Sequence, residues 1–228
     1  MNFMESFIVS VGGSMVNPSN IDVQYVKNFT EILKSADVER KGIVVGGGSN
    51  ARNYVQAMSA FTTNDYFQDE IGIMATRMNA KIVQCAMGLT NYKIPETITD
   101  ALQLVRLENT VVMGGSIPGH TTDTVSVLLA EAMGIKEVYN LTSVDMVYTD
   151  DPKKNPNSKP IQKINYKEAF DISLKSYTGA GSNQFMDSVS LLIAMRSNIT
   201  INLMHGKDLE NFKNAINGKK FKGTVIGL

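Results

Sequence analysis

TVVMGGSIPGHTTDTVSVLLAEAMGIKEVYNL, residues 110–141, holds a complete strand–turn–helix–strand unit. TVVM at 110–113 is a short apolar run of strand type. It breaks into Gly114-Gly115-Ser116, then Pro118-Gly119-His120, then Thr121-Thr122-Asp123, residues that bend a chain or cap a helix. A helical pattern follows over about 122–133, and EVYNL at 137–141 reads as the next strand. Strand, crossover helix and strand in that order form the unit of a parallel sheet.

The same alternation extends both ways. Upstream, FIVSV is a strand that stops at Gly12-Gly13-Ser14, and Val23, Val26, Phe29, Ile32 and Leu33 recur at helical spacing from Asp22 to about Ser35. GIVV at 42–45 runs into Gly46-Gly47-Gly48, with a helix from about Asn50. A longer helical pattern carries Phe67, Ile71, Met74, Met78 and Ile82 on one face, and another helix covers Thr99 to Arg106. Downstream, TDDPKKNPNSKPIQK at 149–163 holds three of the six prolines and reads as a surface connector, its Lys153-Lys154 pair as a solvated turn. Helices at about 166–175, 185–197 and 207–217 alternate with strands at 199–204 and near GTVIG. This pattern predicts parallel βαβ units in a sheet covered on both faces, with two lobes in one body and a seam near 145–165.

Composition narrows the function. Lys+Arg and Asp+Glu are both 22, so no bulk charge favours nucleic acid or a membrane surface. Cys85 is the only cysteine, which excludes an internal disulfide and predicts a buried thiol in the apolar stretch Ile82–Met87. No apolar run approaches a membrane span, and MNFMESF lacks the basic region of a leader, so a cytoplasmic location is expected. The 13 methionines at helical spacing read as core filling.

Four turns carry the chemistry: GGS at 12–14, GGGSNAR at 46–52, GGSIPGHTTD at 114–123 and TSVDMVYTDD at 142–151. Glycine lets backbone N–H groups approach an anion, and a helix start adds unpaired donors. One such turn alone needs no ligand; several on one sheet edge favour a phosphate-rich one. Gly46-x-Gly48-x-x-Ala51, with Asp65 and Asp69 further on, also fits a relaxed dinucleotide fingerprint and would suit an NAD-dependent oxidoreductase. There is no GxxxxGK[ST] and no GxSxG, and His120 and His205 stand far apart, which argues against a P-loop, a nucleophile elbow and zinc catalysis.

Taken together, GGS after the first strand, VVGGGSNARNY, DEIGIMATRMNA, MGGSIPGHTTD, SVDMVYTDDPKKNP and the MD at 186–187 resemble, in order and wording, the amino-acid kinase superfamily. Their wording is similar to its uridylate kinase branch in the archaeal form, from about Ile8 to Ile226. Isopentenyl phosphate kinases carry a histidine where this chain has Asn50, Ala51, Arg52 and Asn53. Acetylglutamate and carbamate kinases begin the second loop with His-Gly, where this one begins Val45-Gly46.

The resemblance implies a three-layer αβα sandwich around a mostly parallel central sheet. It implies one amino-acid kinase domain over 1–228, with acceptor binding mainly in about 1–140 and ATP binding mainly in about 141–228, assembled as a homohexamer. The implied activity is ATP-dependent phosphorylation of UMP to UDP with Mg²⁺, in pyrimidine nucleotide biosynthesis. Ser10, Val11, Gly12, Gly13 and Ser14 would lie along the ATP triphosphate, with Gly12 and Gly13 donating backbone N–H bonds. Gly47 would approach UMP and Gly48 ATP, and Arg52 would place its charge near the phosphates. Asp69 would take the UMP ribose. Gly114, Gly115, Ser116, Ile117, Pro118, Gly119 and His120, with Thr121 and Thr122, would wrap the monophosphate, the two threonines capping the helix behind it. Thr142, Ser143, Tyr148 and Asp151 would surround the adenosine, and Asp145 would stand near metal and phosphates, although no residue is assigned as a metal ligand.

Two positions depart from the family pattern: Ser10 stands where many members have lysine before the first glycine loop, and Leu192 where many have lysine after the MDP motif. This leaves charge neutralisation to Mg²⁺, backbone donors and Arg52. It also keeps open a non-catalytic nucleotide-binding storage or regulatory protein on the same fold, or a kinase for another small phosphate acceptor.

Overall fold

A computed structural model describes residues 6–89, 93–152, 155–176 and 185–227; the Lys153-Lys154 turn lies outside them. The strands are β1 (Phe7–Val11), β2 (Lys41–Val45), β3 (Thr110–Met113), β4 (Glu137–Thr142), β5 (Val147–Tyr148), β6 (Pro160–Ile161), β7 (Lys163–Ile164), β8 (Thr200–His205) and β9 (Thr224–Ile226). The helices are α1 (Gly13–Val16), α2 (Val23–Ser35), α3 (Gly48–Ser59), α4 (Asp65–Met87), α5 (Ile98–Val105), α6 (Thr122–Met133), α7 (Tyr166–Ser176), α8 (Ser188–Ser197) and α9 (Leu209–Ile216).

Seven strands form one sheet in the order β3-β2-β1-β4-β8-β9-β7, and β5 pairs with β6 in a separate small ribbon. From β3 to β8 every pairing is parallel, while β9 runs antiparallel to β8. Strands of this kind, buried on both faces, need apolar residues at nearly every position, and β1, β2 and β3 are buried along their whole length. Successive side chains point to opposite faces. Ile8 therefore joins a core with Val125, Leu129 and Leu191 from α6 and α8. Phe7, Val9 and Val11 join a second core with Phe29, Val83 and Phe212 from α2, α4 and α9. The two cores are the two interlayer seams of the αβα sandwich.

The chain leaves β1 toward β2 and β3 on one side and returns to β4 on the other. The order thus reverses at β1, and the carboxyl ends of β3, β2, β1 and β4 lie side by side along one edge. In open α/β sheets this reversal is where ligands bind.

Two expectations about the core fail. Met74 and Met78 are 58% and 57% exposed, with Phe67 and Ile82 on the same outer stripe, so they do not fill a core. The opposite face of α4, with Ala75, Ala80 and Val83, is the one buried. Cys85 is exposed because it lies off that inward face. In addition, α3 begins at Gly48, two residues ahead of the expected Asn50.

Candidate active site

The loops after β1 and β2 are packed backbone to backbone. A Cβ on Gly13 would stand 1.9 Å from the Gly48 amide nitrogen and 2.6 Å from that of Gly47. A Cβ on Gly46 would stand 2.4 Å from the Gly13 nitrogen. No side chain fits on either residue, so glycine is required here by the mutual approach of two chain crossings. The crossing is tied at both ends: Gly46 N donates to Val11 O at 2.9 Å, and Gly12 N donates to Leu141 O at 2.8 Å. The Gly12 amide is thus committed to β4, against the expectation that it would face a phosphate. Gly13, Gly47 and Gly48 keep amides with no hydrogen-bond partner among the described residues.

Apart from the four-residue α1, which starts at Gly12 without a side-chain cap, helix starts elsewhere are closed by their own side chains. Asp22, Asn64, Thr97, Thr121, Asp187 and Asp208 cap α2, α4, α5, α6, α8 and α9, and Asn165 Oδ1 accepts from Glu168 N in the first turn of α7. The α3 helix, 12 residues long, begins at Gly47 with no side-chain cap. Of its first-turn N–H groups the one on Ser49 goes to Asn17 O, while the Gly48 amide and the positive end of its dipole are left open at the loop crossing. Thr121 alone caps α6, through Thr124 N at 3.2 Å; Thr122 is already the first helical residue.

The α4 helix braces the second and third loops from beneath. Asn79 Nδ2 donates to Gly46 O at 2.8 Å and Gly47 O at 3.0 Å. Thr76 Oγ1 accepts from Gly115 N at 2.6 Å, and its methyl would lie 3.4 Å from a Cβ on Gly47. Arg77 donates through Nε to Gly115 O and through Nη2 to Ser116 O, while Nη1 meets Glu96 Oε2 at 2.7 Å. Asp69 Oδ2 accepts from Gly119 N at 2.8 Å. The third loop, with Ile117 exposed at its tip and Pro118 beside it, is thereby held against the second. His120 N donates to Ile117 O, and its Nδ1 is buried with no partner among the described residues. Arg52 is exposed on α3, one turn beyond Gly48.

Behind this edge lies a half-buried acid group whose surroundings no sequence motif marked. Asp123, half-buried, accepts from Ser10 Oγ at 3.0 Å. Burial, then the charge of Asp187, pushes its carboxyl up to about 7, although Ser10 and Asn140 pull the other way. Asp187 itself accepts from Thr121 Oγ1 at 2.5 Å, Thr124 Oγ1 at 2.9 Å and Ser190 N at 2.9 Å, joining the starts of α6 and α8.

On the far side of β1, the fourth loop leaves β4 at Thr142, whose Cα lies 3.7 Å from a Cβ placed on Gly12. Ser143 and Asp151 are exposed and Tyr148 is half-buried. Asp145 pairs with Lys222 Nζ at 2.9 Å and accepts from Tyr148 Oη at 3.2 Å. Burial alone would raise the Asp145 carboxyl, but hydrogen bonds from Lys222 and Tyr148 outweigh it and hold it below the usual range. Lys222 is a cation beside the fourth loop that no sequence motif marked.

All four loops therefore form one continuous edge. At the opposite edge, a cavity of about 400 Å³ is lined by Lys34, Asp37, Lys41, Met87 and Thr110. There α2 and α4 end, and Lys41 Nζ donates to Leu33 O and Ala36 O. Carbonyl-rich helix ends repel phosphate, so the ligand edge is the one with the open α3 start.

The sequence profile described as the amino acid kinase family matches residues 5–205. The chain belongs to that family. A uridylate kinase of Thermoplasma acidophilum is 43% identical over 97% of this chain and 96% of its own length. One from Pyrococcus abyssi is 39% identical over 96% and 98%. The crystal structure of uridylate kinase from Archaeoglobus fulgidus superposes with a TM-score of 0.85 at 33% identity, covering 96% of this chain and 99% of that one. The three-layer fold is thus the amino acid kinase fold, and family membership displaces the dinucleotide reading of Gly46-x-Gly48-x-x-Ala51. At the two departures from the family pattern, Ser10 is buried against Asp123, and Leu192 is 44% exposed on the outer face of α8.

Proposed function

We propose that this chain transfers the γ-phosphoryl group of ATP to UMP, giving UDP and ADP. The observation that carries the reading is the uncapped start of α3 at the crossing of the first two glycine loops, where the Gly13, Gly47 and Gly48 amides are unpartnered among the described residues. Such a cluster of donors at a helix start suits a phosphoryl group carrying charge on its equatorial oxygens. The curated relatives named uridylate kinase support UMP as the acceptor.

In this reading the first loop and Gly48 take the ATP phosphates, and Gly47, Asp69 and residues Gly114 to His120 take UMP. Thr142, Ser143, Tyr148 and Asp151 surround the adenosine. The acceptor is a phosphate monoester, already ionised at neutral pH, so its oxygen attacks in line without a protein nucleophile. The protein positions the two nucleotides and stabilises the transferring group through backbone amides and Arg52.

Mg²⁺ fits this site as an ion held chiefly by the nucleotide. Among the described residues no three of His, Cys, Asp or Glu converge on one point, and Mg²⁺ commonly keeps water and substrate phosphates as ligands. Once bound, it withdraws negative charge from the phosphates. Asp145, ionised at neutral pH, adds a carboxylate near the fourth loop.

A homohexamer is the proposed assembly, supported by the resemblance and by the exposed Phe67–Met74–Met78 stripe of α4. The proposed place of action is pyrimidine nucleotide biosynthesis in the cytoplasm; among the described residues no helix is long and apolar enough to cross a membrane.

A coupled ADP assay with UMP, CMP, AMP, GMP and isopentenyl phosphate tests the reading. UMP should be turned over in preference. A preference for another acceptor overturns the specificity, and nucleotide binding without ADP formation would favour the non-catalytic alternative.

A further inference from the structure

Asn17 and Ser49 sit where the first and second loops leave their crossing. Asn17 closes α1, its amide donating to Gly13 O at 2.7 Å. Ser49 is the second residue of α3. Between them run two hydrogen bonds: Ser49 N donates to Asn17 O at 2.9 Å, and Ser49 Oγ donates to Asn17 Oδ1 at 2.8 Å. Both residues are buried, Asn17 completely. Gly48, at φ +64°, lies inside this clasp: a Cβ there would stand 2.4 Å from Asn17 O and 2.5 Å from Gly13 O.

One consequence concerns the α3 start. Of its first-turn N–H groups, the one on Ser49 is satisfied by a carbonyl of the first loop and not by a side chain of its own helix. The direction of the α3 amides is thus set by the loop assigned to the ATP phosphates. The side-chain bond adds a second point of attachment, which removes rotation about the first. We propose that Asn17 and Ser49 act as a positioning pair for the phosphoryl transfer, fixing the angle between the two glycine loops so that donor and acceptor meet in line. The pair acts through Gly47 and Gly48. This inference rests on the kinase reading above.

A pair with this role affects the transition state more than the separate binding of either substrate, because small misplacements of reacting groups are costly. The test uses the full chain with ATP, Mg²⁺ and UMP. Ser49→Ala and Asn17→Ala should each lower kcat about tenfold while both KM values stay within about twofold. The double variant should be no slower than either single one, since removing one partner already opens the clasp. Ser49→Thr, which keeps the hydroxyl, should recover kcat to within about twofold of the parent.

Calorimetric binding of ATP alone and UMP alone should be unchanged in the alanine variants. Unchanged kcat in both alanine variants, multiplied losses in the double variant, or a fall in melting temperature with kcat intact at a cooler assay temperature would each overturn the proposal. If the parent protein itself makes no UDP, the kinase reading fails first, and the two failures are told apart by that control.

Discussion

Ser10 and Asp123 are separated by 113 residues, and buried Ser10 donates through Oγ to Asp123 Oδ1 at 3.0 Å. The carboxyl is raised to about 7, by burial first and by the nearby Asp187 second. The folded state therefore holds this proton more tightly than the unfolded chain, whose Asp titrates near ~3.9. Below about pH 4 both states are protonated and the group is neutral toward stability. As pH rises from about 4 to about 7 the unfolded chain ionises first, so stability falls, and above 7 it levels off. The total is at most on the order of 4 kcal/mol, less to the extent that solvent reaches the half-buried carboxyl. Melting temperature without nucleotide should decline over this window, and Asp123→Asn should flatten the decline. An equal slope in parent and variant would remove Asp123 as the cause.

Gly13→Ala should be far more damaging than a glycine substitution elsewhere. Its Cβ would meet the backbone nitrogens of Gly48 and Gly47 at 1.9 and 2.6 Å, and backbone has nowhere to go without opening the loop crossing. Overpacking of this kind costs about 1–3 kcal/mol, and here it also displaces the amides assigned to phosphate. Turnover should fall at least ~100-fold. Gly134→Ala is the control: at φ +69° with nothing within 4 Å of its Cβ, it should cost about 1 kcal/mol of stability and leave turnover intact. Comparable activity in the two variants would show that the loops can part without consequence.

The sequence carried the fold through strands that end in glycine- or hydroxyl-rich turns. FIVSV, GIVV, TVVM and EVYNL are buried runs followed by turns, and each is a strand of the parallel sheet. The two-residue strands β5, β6 and β7 are too short to show a period, and the antiparallel return of β9 depends on contacts no local pattern encodes. At the site, glycines were legible because a turn announces them. Thr76, Arg77 and Asn79 lie within DEIGIMATRMNA but carry no local signal of their role, since their partners are backbone carbonyls and amides of two other loops. Asp123 read as part of a helix cap, and only the fold reveals that it meets Ser10 of β1 and lies near Asp187. The Phe67–Met74–Met78 stripe shows the limit of periodicity: spacing identifies a face and does not say what covers it.

Arg77→Lys should impair acceptor binding selectively. The guanidinium reaches Gly115 O, Ser116 O and Glu96 from one planar group, a geometry an ammonium cannot reproduce. Glu96 is 69% exposed, so the ion pair itself contributes little, at most about 1 kcal/mol. The main effect is slack in the third loop. KM for UMP should rise about tenfold, equivalent to about 1.4 kcal/mol, with KM for ATP within about twofold. Equal rises in both constants would place Arg77 in general folding support.

The outer stripe of α4 leads to a prediction about assembly. Met74 and Met78 are already more than half exposed in the isolated chain, so replacing them adds little strain to the fold. If copies of the chain meet across this stripe, Met74→Glu with Met78→Glu places like charges where two apolar faces should join, and burying unpaired carboxylates is costly. Light scattering should then report a mass below that of the parent assembly, while the melting temperature of the dissociated protein stays within a few degrees of that measured for the parent at the dilution where it dissociates. The face inward of the stripe carries Thr76, Arg77 and Asn79, so activity measured on the dissociated variant tests whether the brace depends on the neighbour. An unchanged mass would assign the stripe to open solvent and move the subunit contact elsewhere on the surface.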